Sequence, residues 1–260
     1  MCGIIGIISR KAVTSKLMDG LKRLEYRGYD SAGIATLVDG KIDRRRAEGK
    51  IKNLDACLKN EPLDGLVGIG HTRWATHGAP SEVNAHPHAD DKVVLVHNGI
   101  IENFQELRRN LLDKGQKFET DTDTEVVVHL VSRFLVEGRS PQEAVAAALG
   151  LLEGAFALAI LFRGYDSLMI GARRGSPLAI GYGDGEMYLG SDALALAPLT
   201  QQICYLEEGD WAEISADTAI LHNEAGDVVE RDICQTEASG ALTGKANFPH
   251  FMLKEIYEQP

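Results

Sequence analysis

No apolar run in this chain reaches membrane-spanning length. The apolar start after Met1 has no basic leader before it and no small-residue cleavage site behind it. A membrane anchor and a signal peptide are therefore not expected, and a cytoplasmic location is. Cysteine is scarce: Cys2, Cys57, Cys204 and Cys234 lie far apart with no CxxC pair. That pattern argues against a disulfide framework or a zinc ribbon and for independent thiols in a reducing compartment. Basic charge is also short, with 27 Lys and Arg against 38 Asp and Glu and a net charge of -11. Nucleic acid and anionic membranes select the opposite balance, so neither is an expected partner. The one basic run, Arg44-Arg45-Arg46, sits among acidic neighbours and reads as a solvated strand or loop.

What is present is enough for a sizeable core: 260 residues, 44% of them hydrophobic, make one large domain or two small ones. Gly3-Ile4-Ile5-Gly6-Ile7-Ile8 reads as a buried strand. Val13, Leu17, Leu21 and Leu24 fall at helical spacing, and Asp39-Gly40 between Ile34–Val38 and Lys41–Arg46 signals a hairpin. Strands are predicted around Val67–Thr72 and Val93–His97, with helices over Phe104–Lys114 and from Asp123 onward. Ser140-Pro141-Gln142-Glu143 is a capping box that opens a further helix. From Ala155 short strands alternate with glycine and acidic turns, which suggests antiparallel sheet. Strands at both ends with helices between them predict an α+β domain of two facing sheets covered by helices. Residues 1–236 form the expected domain, and 237–260 lose periodicity and read as a linker toward something that follows.

The second residue carries the sharpest chemical signal. If Met1 is removed, Cys2 holds both a thiol and a free α-amine, a nucleophile with its own base. The plain alternative is a small apolar residue opening a strand. Arg73, just past a strand end and followed by Trp74 and Gly78, offers a fork of donors for a carboxylate on a loop that can close; a surface arginine stacked on tryptophan is the alternative. Asn98-Gly99 reads by propensity as a hairpin turn, but a side-chain amide beside a glycine N–H can also form an oxyanion hole. Asp123 is a good N-cap for the helix after it and could also bind an ammonium group. His71, His77, His86, His88 and His97 raise a zinc reading, which the His86-Pro87-His88 spacing and the absence of a completing ligand disfavour. Gly181, Gly183 and Gly185 read as a turn, since no Lys-Ser or helix start follows to make a phosphate loop.

Taken together, Cys2-Gly3-Ile4-Ile5-Gly6, Arg27-Gly28-Tyr29-Asp30-Ser31-Ala32-Gly33, His71-Thr72-Arg73-Trp74-Ala75-Thr76-His77-Gly78, His97-Asn98-Gly99-Ile100 and Thr122-Asp123-Thr124-Glu125 resemble the class II glutamine amidotransferases. The resemblance implies the four-layer αββα sandwich of an N-terminal-nucleophile hydrolase. It further implies that Cys2 attacks the side-chain amide of L-glutamine, with Asn98 and Gly99 as the oxyanion hole. Arg73 would hold the glutamine α-carboxylate and Asp123 its α-ammonium. Trp74, Thr76, His77 and His86 match the mobile loop and its supports, and no cofactor or metal is implied.

Within that family, Leu24 to Gly33 and the closing Lys254 to Pro260 resemble the branch in which a sugar isomerase half follows. That half receives ammonia through a channel and converts fructose 6-phosphate to glucosamine 6-phosphate, in an enzyme that is a homodimer when full length. Two alternatives stand beside this one: the glutaminase part of another class II amidotransferase, against which Tyr26 and Tyr29 speak, and a domain that binds glutamine without catalysis.

Overall fold

The computed structural model describes residues 2–236; the expected linker at 237–260 lies outside them. The chain opens with β1 (Gly3–Ser9), α1 (Thr14–Leu24), β2 (Ser31–Val38), β3 (Lys41–Glu48), α2 (Ile51–Asn60) and β4 (Val67–Arg73). There follow β5 (His88–Ala89), β6 (Val93–Ile101), α3 (Phe104–Leu112), α4 (Thr124–Val136) and α5 (Pro141–Leu149). The remainder is mostly sheet: β7 (Gly154–Phe162), β8 (Met169–Arg174), β9 (Ala179–Tyr182), β10 (Glu186–Gly190), the short α6 (Ala193–Leu196), β11 (Gln202–Tyr205), β12 (Trp211–Ile214), β13 (Ala219–His222), β14 (Val228–Val229) and β15 (Ile233–Gln235).

These strands form two antiparallel sheets, ordered β15-β11-β9-β10-β1-β4-β2-β3 and β14-β13-β12-β8-β7-β6-β5. Both are buried on two faces, because their central strands are apolar at successive positions. In β1, Ile4 and Ile8 pack between the sheets while Ile5 and Ile7 face α1. In β6, Val94 and Val96 point to the middle layer while Val93 and Leu95 meet α4. Helices α1, α2 and α6 cover the first sheet and α3, α4 and α5 the second. The expected four-layer αββα arrangement is therefore the one observed. Each fully buried aliphatic side chain in these layers contributes on the order of 2 kcal/mol from area removed from water.

Local chemistry explains the joints. Asp39 and Gly40, with φ of 50° and 72°, make the tight turn between β2 and β3. Ser140 accepts from Glu143 N while the Glu143 carboxylate accepts from Ser140 N, the full capping box at the start of α5.

The structure departs from the sequence-based expectations in four places. Helix α2, absent from the periodicity reading, buries Ile51, Leu54 and Leu58 on one face. Asn98-Gly99 is not a hairpin turn: β6 runs through it and stays paired with β7 as far as Ile101. The Arg44-Arg45-Arg46 run is not simply solvated. Arg44 donates to Pro87 O at 3.1 Å, and Arg46 donates to Val83 O at 2.9 Å and Ala85 O at 3.1 Å, so two of the three arginines clamp the segment before β5. Finally, the Asp123 side chain makes no capping bond to α4; its Oδ2 accepts from Ile101 N at 2.9 Å instead.

Candidate active site

Strand β1 anchors the residue that precedes it. Gly3 is paired with Thr72 of β4, and Ile4 N donates to Ser191 Oγ at 2.9 Å, so the chain start is held on both sides. Cys2 is consequently fixed and half-buried at the end of the first sheet. Its Sγ accepts from Trp74 N at 3.2 Å and lies 3.5 Å from Trp74 O. Burial pushes the thiol pKa up; the Trp74 backbone and the Arg73 guanidinium oppose this less strongly. A thiol in that state is not a thiolate at neutral pH and needs a base to become a nucleophile.

Arg73 ends β4 and turns inward, 3% exposed, whereas Trp74 is 54% exposed, so the two do not form a stacked surface pair. The guanidinium donates to His77 O, to Gly78 O at 3.0 Å and to Ala79 O at 3.4 Å, which folds residues 74–79 around it. Asp30 Oδ1 lies 3.8 Å away as counter-charge. Asp123 is buried and lines the same small cavity as Cys2, Arg73, Thr76, His77 and His86. An arginine and an aspartate facing one cavity beside a thiol suit a zwitterionic amino acid.

Asn98 and Gly99 reach Cys2 from the second sheet, and with Trp74, Thr76 and Ile100 they line a second cavity of about 230 Å³ that Cys2 also borders; Gly99, Trp74 and Thr76 line both cavities. Asn98 Nδ2 lies 3.5 Å from Cys2 O, while its Oδ1 lies 3.0 Å from His71 Nε2. His71 is fully buried and its pKa is pushed down to about 3, chiefly by desolvation, so the ring is neutral and donates to that oxygen. The amide N–H₂ is thereby turned toward the main chain of Cys2. Gly99 has φ of 112°, and a Cβ there would lie 2.0 Å from Ala155 O, so no other residue fits.

The histidines pack on one another rather than around a point. Ring centroids of His71 and His86 are 4.2 Å apart, and those of His86 and His88 are 4.6 Å apart. His86 Nε2 and His97 Nδ1 both meet Thr124 Oγ1, at 2.9 and 3.0 Å, and the His77 ring stands edge-on to Phe104. Among the described residues, no three or more His, Cys, Asp or Glu side chains are grouped to hold a metal ion. The eight residues expected at the site beside Cys2, namely Arg73, Trp74, Thr76, His77, His86, Asn98, Gly99 and Asp123, all line the two cavities that Cys2 borders. His71, Asp30 and Thr124 join them without having been assigned a role, because their parts are set by long-range contacts that no local pattern announces.

Comparison with known proteins bears on this geometry. Residues 71–198 match the family model described as the glutamine amidotransferase domain. Over that stretch the chain carries a glutamine amidotransferase domain. Across all 260 residues it is 60% identical to the glutamine–fructose-6-phosphate aminotransferase (isomerizing) of Zymomonas mobilis subsp. mobilis and likewise 60% identical to that of Brucella abortus biovar 1. It spans 43% of the length of each of these curated relatives. Among solved structures, the glutamine phosphoribosylpyrophosphate amidotransferase of B. subtilis, complexed with ADP and GMP, aligns over 87% of this chain and 50% of its own. That alignment has a TM-score of 0.75 at 27% identity. A glutamine aminotransferase class-II domain protein from Silicibacter pomeroyi shares the fold, with a TM-score of 0.59 at 15% identity. No helix among the described residues is long and apolar enough to cross a membrane.

Proposed function

We propose that the glutamine amidotransferase domain of this chain hydrolyses L-glutamine to glutamate and ammonia through a thioester on Cys2. It would act as the glutaminase part of a cytoplasmic glutamine–fructose-6-phosphate aminotransferase. The observation that supports this reading is that Cys2 borders both the cavity lined by Arg73 and Asp123 and the cavity lined by Asn98 and Gly99. Arg73 takes the glutamine α-carboxylate and Asp123 its α-ammonium, which leaves the side-chain amide over Cys2. The α-amine of Cys2, freed by removal of Met1, accepts the thiol proton as Sγ bonds to the amide carbon. The developing oxyanion is held by Asn98 Nδ2 and Gly99 N–H. The carbon–nitrogen bond then breaks, the ammonium returns its proton to the departing amine, and ammonia leaves. Water, deprotonated by the same α-amine, attacks the thioester carbon and expels the thiolate, which regains a proton as glutamate departs.

Residues 1–236 are the unit assigned to this chemistry and 237–260 the link to a sugar isomerase half. There the ammonia converts fructose 6-phosphate to glucosamine 6-phosphate, in a homodimer. The 60% identity to enzymes of that name supports this destination over the phosphoribosyl branch, whose structural relative is 27% identical. Ammonia and glutamate measured from glutamine, for the Met1-processed chain and its Cys2→Ser variant, test the reading. Release by the first and none by the second is expected; equal release by both contradicts the mechanism.

A further inference from the structure

The Asp123 carboxylate accepts one hydrogen bond, from Ile101 N, with His97 Nδ1 3.9 Å away, and its carbonyl accepts from Val126 N of α4; the chain that leads into it is the loop before α4. That loop is fastened from behind by a side chain lining neither of the two cavities beside Cys2. Glu125, at the start of α4 and buried, folds back over the preceding segment. Its Oε1 accepts from Glu119 N at 2.8 Å, and its Oε2 accepts from Thr120 N and Thr120 Oγ1, both at 2.7 Å. Thr120 Oγ1 in turn meets Thr122 Oγ1 at 2.9 Å and Thr122 N at 3.3 Å. One carboxylate thus gathers residues 119–122, the stretch that ends at Asp123.

The carboxylate is itself held. His129 Nε2, one turn along α4, lies 3.3 Å from Oε1, and His129 Nδ1 lies 3.8 Å from Asp90 Oδ2 just after β5. The Gln116 amide and the Phe118 ring close over His129 from the segment after α3. Arg44 of β3 adds positive charge that acts on Glu119 and Glu125. A buried carboxylate is retained only where donors and cations compensate its lost hydration, and here three donors and an imidazolium do so. Ordinary helix capping does not account for the arrangement, since the bonds go to residues 119 and 120 and not to the free N–H groups of α4.

We infer that Glu125 is a positioning residue for glutamine: through its grip on residues 119–122 it sets the Asp123 carboxylate in the cavity shared with Arg73, and with it the affinity for the substrate's α-ammonium. The inference rests on the proposed reading of Arg73 and Asp123 as the amino-acid clamp. Glu125 touches neither Cys2 nor the oxyanion donors, so its contribution falls on binding and not on bond breaking.

Steady-state glutaminase kinetics of the Met1-processed chain and of Glu125→Gln separate the two. The amide presents N–H₂ to groups that are themselves donors, so the loop loosens, and KM for glutamine is expected to rise roughly tenfold with kcat within about twofold. Glu125→Asp, which keeps the charge but reaches fewer donors, should recover part of the loss. Alkylation of Cys2 by iodoacetamide, which needs no amino-acid clamp, should proceed at the wild-type rate. Should Glu125→Gln not fold, Thr120→Val carries the test by removing the hydroxyl link, with KM rising about threefold. An unchanged KM in a folded variant overturns the inference, as does a loss of kcat and of alkylation in step with KM. A wild-type chain that releases no ammonia overturns the glutaminase reading itself, whereas an active wild type with unchanged variants overturns only the role given to Glu125.

Discussion

His71 donates from Nε2 to Asn98 Oδ1 across the two sheets, at 3.0 Å, and so decides which end of the amide faces Cys2. The bond spans 27 positions in sequence and joins β4 to β6 in the dry interior. It acts on the oxyanion donor and not on the amino-acid clamp. His71→Ala should therefore lower kcat for glutamine hydrolysis by roughly tenfold or more while KM changes little, the signature of a contact made in the transition state. Steady-state kinetics check this, and an equal rise in KM with kcat preserved would oppose it.

Gly99 admits no side chain. A methyl group there would stand 2.0 Å from Ala155 O, on a backbone with φ of 112°. Gly99→Ala should cost on the order of 3 kcal/mol of stability, from steric push and backbone strain together, and should abolish hydrolysis by moving the N–H. Urea unfolding followed by circular dichroism reads the first effect, and ammonia release the second.

Acid should weaken the fold through the buried histidines. His71, His86, His88 and His97 have pKa values pushed down by burial, so below their unfolded value of about 6.5 the unfolded chain binds protons that the folded chain does not. Stability is then lost progressively as pH falls below that value. Thermal melts between pH 7 and pH 5 should show a falling Tm, and replacing His88 with glutamine should flatten the slope.

Alkali should weaken it through His129. Burial alone would lower that pKa, but the Asp90 and Glu125 carboxylates outweigh it and raise the value to about 9. The stabilisation is fully present below the unfolded value near 6.5 and is lost as pH rises through about 9. Glu125 runs the other way: its donors hold its pKa down to about 2, so its contribution, present above the unfolded value near 4.3, disappears as pH falls toward 2. Unfolding free energies from urea titrations at pH 7 and pH 10 should differ by on the order of 1–2 kcal/mol in the wild type and by less in His129→Gln.

Much of this was written locally in the chain. Apolar residues at successive positions in β1 and β6 announce strands buried on both faces, and the Ser140 capping box marks the start of α5 to the residue. The site residues could be named because unusual polar groups stand inside apolar surroundings at Arg73, Asn98 and Asp123. What local reading missed was decided at a distance. Asn98-Gly99 has turn chemistry, yet pairing with β7 keeps it in a strand whose end borders Cys2. Asp123 has capping chemistry, yet Ile101 N takes its carboxylate. The three arginines of β3 have the composition of a solvated face, but the carbonyl of Pro87 lies within reach of Arg44 and those of Val83 and Ala85 within reach of Arg46. In each case a partner tens of residues away outbid the local preference.

The central claim is that a buried thiol, pushed away from ionisation by its surroundings, is activated by the α-amine of the same residue. The most direct measurement pairs intact-mass determination of the N-terminus with the glutaminase rate, on one preparation in which Met1 has been removed and one in which it is retained. The account predicts ammonia release in proportion to the fraction beginning with Cys2 and none from chains that keep Met1. Undiminished release from chains shown to carry Met1 would contradict it.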